Sequence, residues 1–141
     1  MVESIIDVLV VDDDPIARGC LAQTLQEAGY KVREAGDGWE ALSLIRSMPF
    51  RVVLTDLQMP RMNGLRLFEY LLVRWPNTAT IFMSAGSADL ADSILARGAH
   101  AWIKKPFEDR VVLEAVHAAI HCVRGGAQRA EIEDRPGCGL F

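Results

Sequence analysis

Apolar residues gather in five short runs along the chain, separated by longer segments in which apolar residues recur every three or four positions. Most runs are bounded by Asp, Gly, Pro or Ser, which is typical of buried strands. The predicted strands cover residues 8–11, 31–34 with the flanking Tyr30, 52–55, 80–83 and 101–103. The spacing in the intervening segments predicts amphipathic helices.

Turn and capping residues set the ends of these helices. The first is predicted to begin near Pro15 and to end at Gly29, with an apolar face formed by Ile16, Cys20, Leu21, Leu25 and Ala28. The other helices are predicted from about 38 to 47 with Asp37 as N-cap, from 64 to just before Pro76, from 87 to 97 with Gly98 as C-cap, and from about 107 onward.

Strand and helix therefore alternate five times, which indicates a parallel sheet with helices on both faces. Right-handed crossovers leave few topologies, and a flavodoxin-like, doubly wound α/β fold with strand order 2-1-3-4-5 fits the pattern. After residue 123 the periodicity ends in a polar stretch rich in Gly. We expect one domain over residues 1–123 and a flexible tail or linker over 124–141.

Composition narrows the functional classes. The 141 residues carry a net charge of −4, which argues against a free-standing nucleic-acid-binding domain. Three widely separated cysteines favour a reducing compartment. The N-terminus has no basic leader, and no apolar run approaches the roughly 18 residues of a membrane span. We therefore expect a cytoplasmic protein with neither a membrane nor a nucleic acid as partner.

Polar residues follow four of the predicted strands and should meet at one edge of the sheet. In strand order 2-1-3-4-5, ligands bind beyond strands 1 and 3, where the order reverses. The residues in question are Asp12, Asp13 and Asp14 after strand 1, Asp56 after strand 3, Ser84 after strand 4, and Lys104 and Lys105 after strand 5. Crowded carboxylates repel one another, and Mg²⁺ would relieve that repulsion. A metal and a lysine together suit phosphate chemistry, with Asp56 as a carboxylate nucleophile.

Four segments carry a resemblance to response-regulator receiver domains of two-component signalling, of which the chemotaxis receivers are examples. Residues 8–15 (VLVVDDDP) resemble the opening of that family, and 53–64 (VLTDLQMPRMNG) its phosphoacceptor segment. Residues 83–85 (MSA) and 105–107 (KPF) are similar to its two remaining signatures. The segments occur in the family's order, and the resemblance covers about residues 5–122.

The resemblance implies individual roles for the residues at this edge of the sheet. Asp56 would be the phosphoacceptor, and Asp13 would bind Mg²⁺ directly. Asp12 would hold a metal-bound water, and the backbone carbonyl of Gln58 would be a further metal ligand. Gln58, together with Gly86, would also shape the path of the water that hydrolyses the phosphoryl group.

The remaining implied roles concern switching. Ser84 would hydrogen-bond the phosphoryl group, and Lys105 would pair with Asp56 and then with the phosphate. Pro106 would follow a cis peptide bond. Trp102 would occupy the aromatic switch position, where family members more often carry Tyr or Phe.

The resemblance also implies partners. A histidine kinase or a histidine phosphotransfer protein would supply the phosphoryl group. Output would run through the fourth helix, fifth strand and fifth helix to a downstream protein or to a second copy of the chain. Beyond self-catalysed phosphotransfer and autodephosphorylation, no enzymatic activity is expected.

Two other functions remain open on the residues alone. Asp12 and Asp14 fit the Asp-x-Asp signature of haloacid-dehalogenase-type phosphatases, with Asp12 as nucleophile and Asp14 as general acid. A receiver-like binding module that works without phosphorylation is the second alternative.

His117 and His121, one helical turn apart, have a spacing that could chelate zinc, although the sequence brings no third ligand into view.

Overall fold

The computed structural model describes residues 5–59, 61–86 and 88–123, in which five strands and five helices alternate. The strands are β1 (Ile6–Val11), β2 (Val32–Ala35), β3 (Phe50–Asp56), β4 (Ala79–Ser84) and β5 (Ala101–Lys104). The helices are α1 (Pro15–Glu27), α2 (Gly38–Ser47), α3 (Gly64–Arg74), α4 (Ala88–Ala96) and α5 (Asp109–Val123). The predicted tail over 124–141 lies outside the described residues.

The five strands form one parallel sheet in the order β2-β1-β3-β4-β5. This confirms the predicted flavodoxin-like topology. The register brings the carboxyl ends of the strands level: Asp56 pairs with Met83, and Ser84 pairs with Lys104. Residues that follow the central strands therefore share one edge of the sheet.

Helices cover both faces of the sheet, as the alternation predicts. On one face α1 and α5 pack against inward side chains of the strands, with Leu25 and Val116 fully buried. The opposite face is covered by α2 and α3, and next to them α4 packs Ile94 against Phe68 and Phe82. No helix within these described segments has the length and hydropathy that crossing a membrane requires.

The prediction for the apolar face of α1 was wrong. Its buried residues are Leu21, Ala22 and Leu25, whereas Ile16 is 77% exposed and Cys20 and Ala28 are also exposed. A helix turns about 100° per residue, so Ile16 lies on the side opposite Leu25. The five residues of the predicted face therefore do not lie on one side of the helix.

Helix caps explain most of the predicted boundaries. The carboxylate of Asp37 accepts a hydrogen bond from Glu40 N and caps α2, as predicted. Gly98 follows α4 with a φ of +118°, a conformation that favours glycine at a helix end. The fifth helix begins at Asp109, two residues later than predicted, and β2 is shifted by one residue to Val32–Ala35.

Candidate functional site

Three carboxylates meet at the sheet edge where strand order reverses. Asp12 and Asp13 directly follow β1, and Asp56 is the last residue of β3. One oxygen from each lies within 4.8 Å of the other two. Asp12 is only 3% exposed, whereas Asp13 is exposed to solvent and Asp56 is intermediate. Oxygen ligands at this spacing can hold a single hard divalent cation.

Lys105, which follows β5, reaches across to these carboxylates. Its Nζ lies 2.9 Å from Asp56 Oδ2 and 4.0 Å from Asp12 Oδ2. The backbone N–H of Lys105 donates to the Ser84 carbonyl over 3.0 Å, which holds the lysine beside the end of β4. The Lys105–Pro106 peptide bond is cis, as predicted.

The charges of this site influence one another. Burial raises the pKa of Asp12, and the charges of Asp56 and Asp13 add to that rise; a hydrogen bond from Asp14 N and the charge of Lys105 oppose it. Burial tends to lower the pKa of Lys105. The hydrogen bond and charge of Asp56, with the charges of Asp12 and Asp13, outweigh burial and raise it. The cleft therefore keeps its lysine charged and penalises ionisation of its most buried acid.

Backbone groups fix the orientation of the carboxylates. Asp14 N donates to Asp12 Oδ1 over 2.9 Å, and Gln58 N donates to Asp56 Oδ1 over 3.2 Å. Gly64, at the start of α3, donates its N–H to the Leu57 carbonyl over 2.8 Å. This bond draws α3 so close that a Cβ at position 64 would stand 2.3 Å from the Asp56 backbone oxygen.

Ser84 connects this edge of the sheet to Trp102. Ser84 ends β4, is 5% exposed, and its Oγ accepts a hydrogen bond from Gly86 N over 3.0 Å. A Cβ at position 86 would lie 3.4 Å from Ser84 Oγ and 3.5 Å from Trp102 Cζ2. Trp102 is partly buried, with its ring centroid 6.3 Å from that of Phe82 on β4. A side chain at position 86 would thus lie in van der Waals contact with both predicted switch residues, whereas the native glycine leaves that space free of a Cβ.

Comparison with known proteins decides the family. The family model described as the response regulator receiver domain matches residues 8–117. This chain belongs to the response regulator receiver family. The receiver is 34% identical over 128 residues to the response regulator protein PilR of Pseudomonas aeruginosa, a match that covers 90% of this chain and 29% of PilR.

Two further relatives extend the comparison. The DNA-binding response regulator MtrA of Mycolicibacterium smegmatis is 33% identical over 80% of this receiver and 50% of MtrA. The crystal structure of a CheY-like receiver domain protein from Methanospirillum hungatei is 29% identical, with a TM-score of 0.80 over 86% of this chain and 98% of that one. The receiver spans between about a quarter and a half of the length of these curated relatives.

Membership of this family removes the phosphatase alternative, and the geometry agrees. Asp14, the general acid in that alternative, is the N-cap of α1 and accepts hydrogen bonds from Ile16 N and Ala17 N. The predicted site residues Asp12, Asp13, Asp56 and Lys105 lie together in the receiver. Lys104, by contrast, is exposed.

Arg18 contacts the site, and the sequence analysis missed it. Its Nη1 donates to the Asp12 backbone carbonyl over 2.9 Å, and its Nε lies 3.1 Å from Glu34 Oε1 on β2. Arg18 therefore ties the loop after β1 to the neighbouring strand. The sequence did contain one signal for this contact. Arg18 is a cationic residue one helical turn after the Asp14 cap, in the helix that directly follows the acidic segment.

Proposed function

We propose that this receiver domain accepts a phosphoryl group on Asp56 in a Mg²⁺-dependent reaction and thereby switches a surface that binds a protein partner. The observation that carries the proposal is Lys105 Nζ at 2.9 Å from Asp56 Oδ2, beside the carboxylates of Asp12 and Asp13. A nucleophile, a cation-binding set and a fixed ammonium group in one cleft are what acyl phosphate formation needs.

The donor in the proposed reaction is a histidine kinase or a histidine phosphotransfer protein. An Asp56 carboxylate oxygen attacks phosphorus, the bond from phosphorus to the donor's imidazole nitrogen breaks, and that nitrogen keeps the electron pair. Lys105 stabilises negative charge on the phosphoryl oxygens from one side. Ser84, one residue beyond the strand partner of Asp56, donates a hydrogen bond from its hydroxyl group to a phosphoryl oxygen.

Asp12, Asp13, Asp56 and the backbone carbonyl of Gln58 would hold the Mg²⁺ ion. When bound, the ion neutralises charge on the carboxylates and on the phosphoryl oxygens. The raised pKa of Asp12 fits this role, because a buried carboxylate crowded by acids gains most from a cation. We place the reaction in the cytoplasm, in a receiver over residues 1–123 that is followed by a tail or linker over 124–141.

Intact-mass spectrometry tests phosphoryl transfer. With Mg²⁺ and a small phosphodonor such as acetyl phosphate, we expect one added phosphoryl group, lost in Asp56→Asn and on chelation of Mg²⁺. Asp92→Asn is the matched control, since Asp92 is an exposed aspartate on α4, and it should label fully. Undiminished labelling of Asp56→Asn would contradict the proposal. An unlabelled wild type that still binds Mg²⁺ would favour a receiver that works without phosphorylation.

Output in this proposal runs through α4, β5 and α5 to a separate protein or to a second copy of the chain. A phosphoryl group draws Ser84 toward Asp56, and Gly86 follows because its N–H is bonded to Ser84 Oγ. The movement changes the space beside Trp102, whose Cζ2 would lie 3.5 Å from a Cβ placed at position 86. Trp102 then shifts between more and less buried populations.

Trp102 fluorescence tests this route. In a Trp39→Phe, Trp75→Phe background, Mg²⁺ with beryllofluoride should change the emission of Trp102. The same background carrying Asp56→Asn is the control and should not respond. A spectrum that stays constant in a protein shown by mass to be phosphorylated would exclude Trp102 from the switch.

A further inference from the structure

The exposed side of α5 carries two histidines in contact. His117 and His121 are both exposed, and their ring centroids are 4.2 Å apart at an interplanar angle of 56°. Residues four apart lie on one face of a helix. Two nitrogens bound to one zinc ion at 2.0–2.1 Å lie within about 4 Å of each other. Rings already in contact can therefore reach a shared ion by rotating about their side-chain torsions.

A carboxylate occupies the same stripe of the helix. Glu114 precedes His117 by three residues, and at 100° per residue these two residues and His121 fall within an arc of roughly 60°. Glu114 is exposed, and its Oε2 is held 3.4 Å from Nη1 of Arg110, one turn earlier. An exposed ion pair of this kind contributes little, so a cation can readily displace Arg110 from the carboxylate.

We propose that His117 and His121 form a binding site for a borderline divalent transition-metal ion such as Zn²⁺, with Glu114 as third ligand once its side chain rotates away from Arg110. Imidazole ligands suit Zn²⁺, Cu²⁺ and Ni²⁺, whereas an all-carboxylate site suits Mg²⁺. The α5 site therefore differs in chemistry from the cleft of Asp12, Asp13 and Asp56. Because it is exposed, water completes the coordination, and the ion exchanges readily.

Zinc titration of tag-free protein tests the site. The titration is followed by calorimetry in saturating Mg²⁺, which occupies the acidic cleft, and by NMR of the histidine ring C–H groups. We expect one Zn²⁺ ion per chain. The ring signals of His117 and His121 should shift together, while those of His100, which is 1% exposed, stay in place.

Substitutions assign the ligands. His117→Asn and His121→Asn should each weaken Zn²⁺ binding by at least about tenfold. Replacing a residue that only hydrogen-bonds to a metal ligand already costs about tenfold or more in metal affinity. Glu114→Gln should weaken binding less. Arg110→Gln is the matched control on the same stripe and should strengthen binding, because it frees Glu114. All four side chains are exposed, so the fold is retained, which circular dichroism verifies.

Two results would overturn the proposal. One is Zn²⁺ affinity that is unchanged in the His117→Asn, His121→Asn double variant. The other is a titration in which neither histidine ring signal moves while heat is still released, since the ion would then be bound elsewhere. Neither result bears on Asp56 phosphorylation, so this inference and the proposed function fail independently.

Discussion

Replacing Gly64 by alanine should destabilise the protein, although alanine is the better helix former. The added Cβ would stand 2.3 Å from the Asp56 backbone oxygen and 3.0 Å from Leu57 Cα. Carbon–oxygen contacts in proteins ordinarily lie at roughly 3.3–3.6 Å, so α3 and β3 must separate by about 1 Å. Both contacted groups are backbone, and no side chain can rotate away to relieve the overlap.

The magnitude follows from two terms. Overpacking costs about 1–3 kcal/mol, and stretching the 2.8 Å hydrogen bond from Gly64 N to the Leu57 carbonyl forfeits about 0.5–1.5 kcal/mol. We expect a loss of about 2–4 kcal/mol in the free energy of unfolding. Because Asp56 itself is displaced, phosphoryl labelling should also slow.

Gly19→Ala is the matched control. Gly19 lies inside α1, and beyond the backbone of that helix and the adjacent residues no atom stands within 4 Å of its added Cβ. The same substitution should there stabilise the protein by about 0.5–1 kcal/mol, because glycine gives up more backbone freedom in a helix. Labelling at Asp56 should be unchanged in this variant.

Urea denaturation measures both changes. With a urea slope of about 1–3 kcal/mol/M, the Gly64→Ala midpoint should fall by roughly 1 M or more, while that of Gly19→Ala rises. The opposite signs are the decisive feature. If the Gly64→Ala midpoint stays in place or rises with that of Gly19→Ala, the close approach of α3 to Asp56 does not exist in solution.

Three further predictions concern the surroundings of the site. Arg18→Gln should weaken Mg²⁺ binding several-fold in calorimetry, because the Asp12 carbonyl loses its 2.9 Å donor; unaltered affinity would show that Arg18 does not position Asp12. Asp37→Ala should cost about 0.5–2 kcal/mol at neutral pH. The hydrogen bond from Glu40 N, together with Arg61, lowers the pKa of Asp37 below 3.8. The stabilisation by the Asp37 cap is therefore fully present above that pH and is lost as acid protonates the carboxylate of the folded protein. A stability difference between wild type and Asp37→Ala that does not change with pH would contradict this reasoning. Gly86→Arg should alter the dephosphorylation rate while leaving Mg²⁺ affinity nearly unchanged, since a Cβ there meets only ordinary contacts at 3.4–3.5 Å; equal rates in both proteins would make position 86 irrelevant.

The sheet and its site edge could be predicted because they rest on strong local signals. Buried parallel strands appear as continuous apolar runs, and the polar residue that ends each run is visible in the sequence. The right-handed crossover rule then leaves few strand orders, and the order 2-1-3-4-5 is one that fits. Asp12, Asp13, Asp56 and Lys105 therefore came together as expected, even though they are distant in the chain.

Other features depend on tertiary contacts that no local pattern reports. The sequence does not show that the Arg18 side chain folds back to the Asp12 carbonyl, because an arginine in a first helical turn is usually solvated. The exposure of Ile16 has a different origin: Ile16 precedes Leu25 by nine residues, and at 100° per residue that spacing places the two side chains on opposite sides of α1. The close approach of Gly64 to Asp56 is equally invisible, since any helix can begin with glycine.

The charge balance of the cleft explains why phosphorylation should be felt at Trp102. In this structure, the Lys105 ammonium group donates a hydrogen bond to the Asp56 carboxylate, and burial raises the pKa of Asp12. In the proposed phosphorylated state, the negative charge would move outward onto the phosphoryl oxygens, and we expect Lys105 to follow it. Ser84 accepts the Gly86 N–H and still has a hydroxyl proton to donate. We therefore expect a new acceptor beside Asp56 to pull Ser84 and Gly86 together, which would change the space between position 86 and the Trp102 indole.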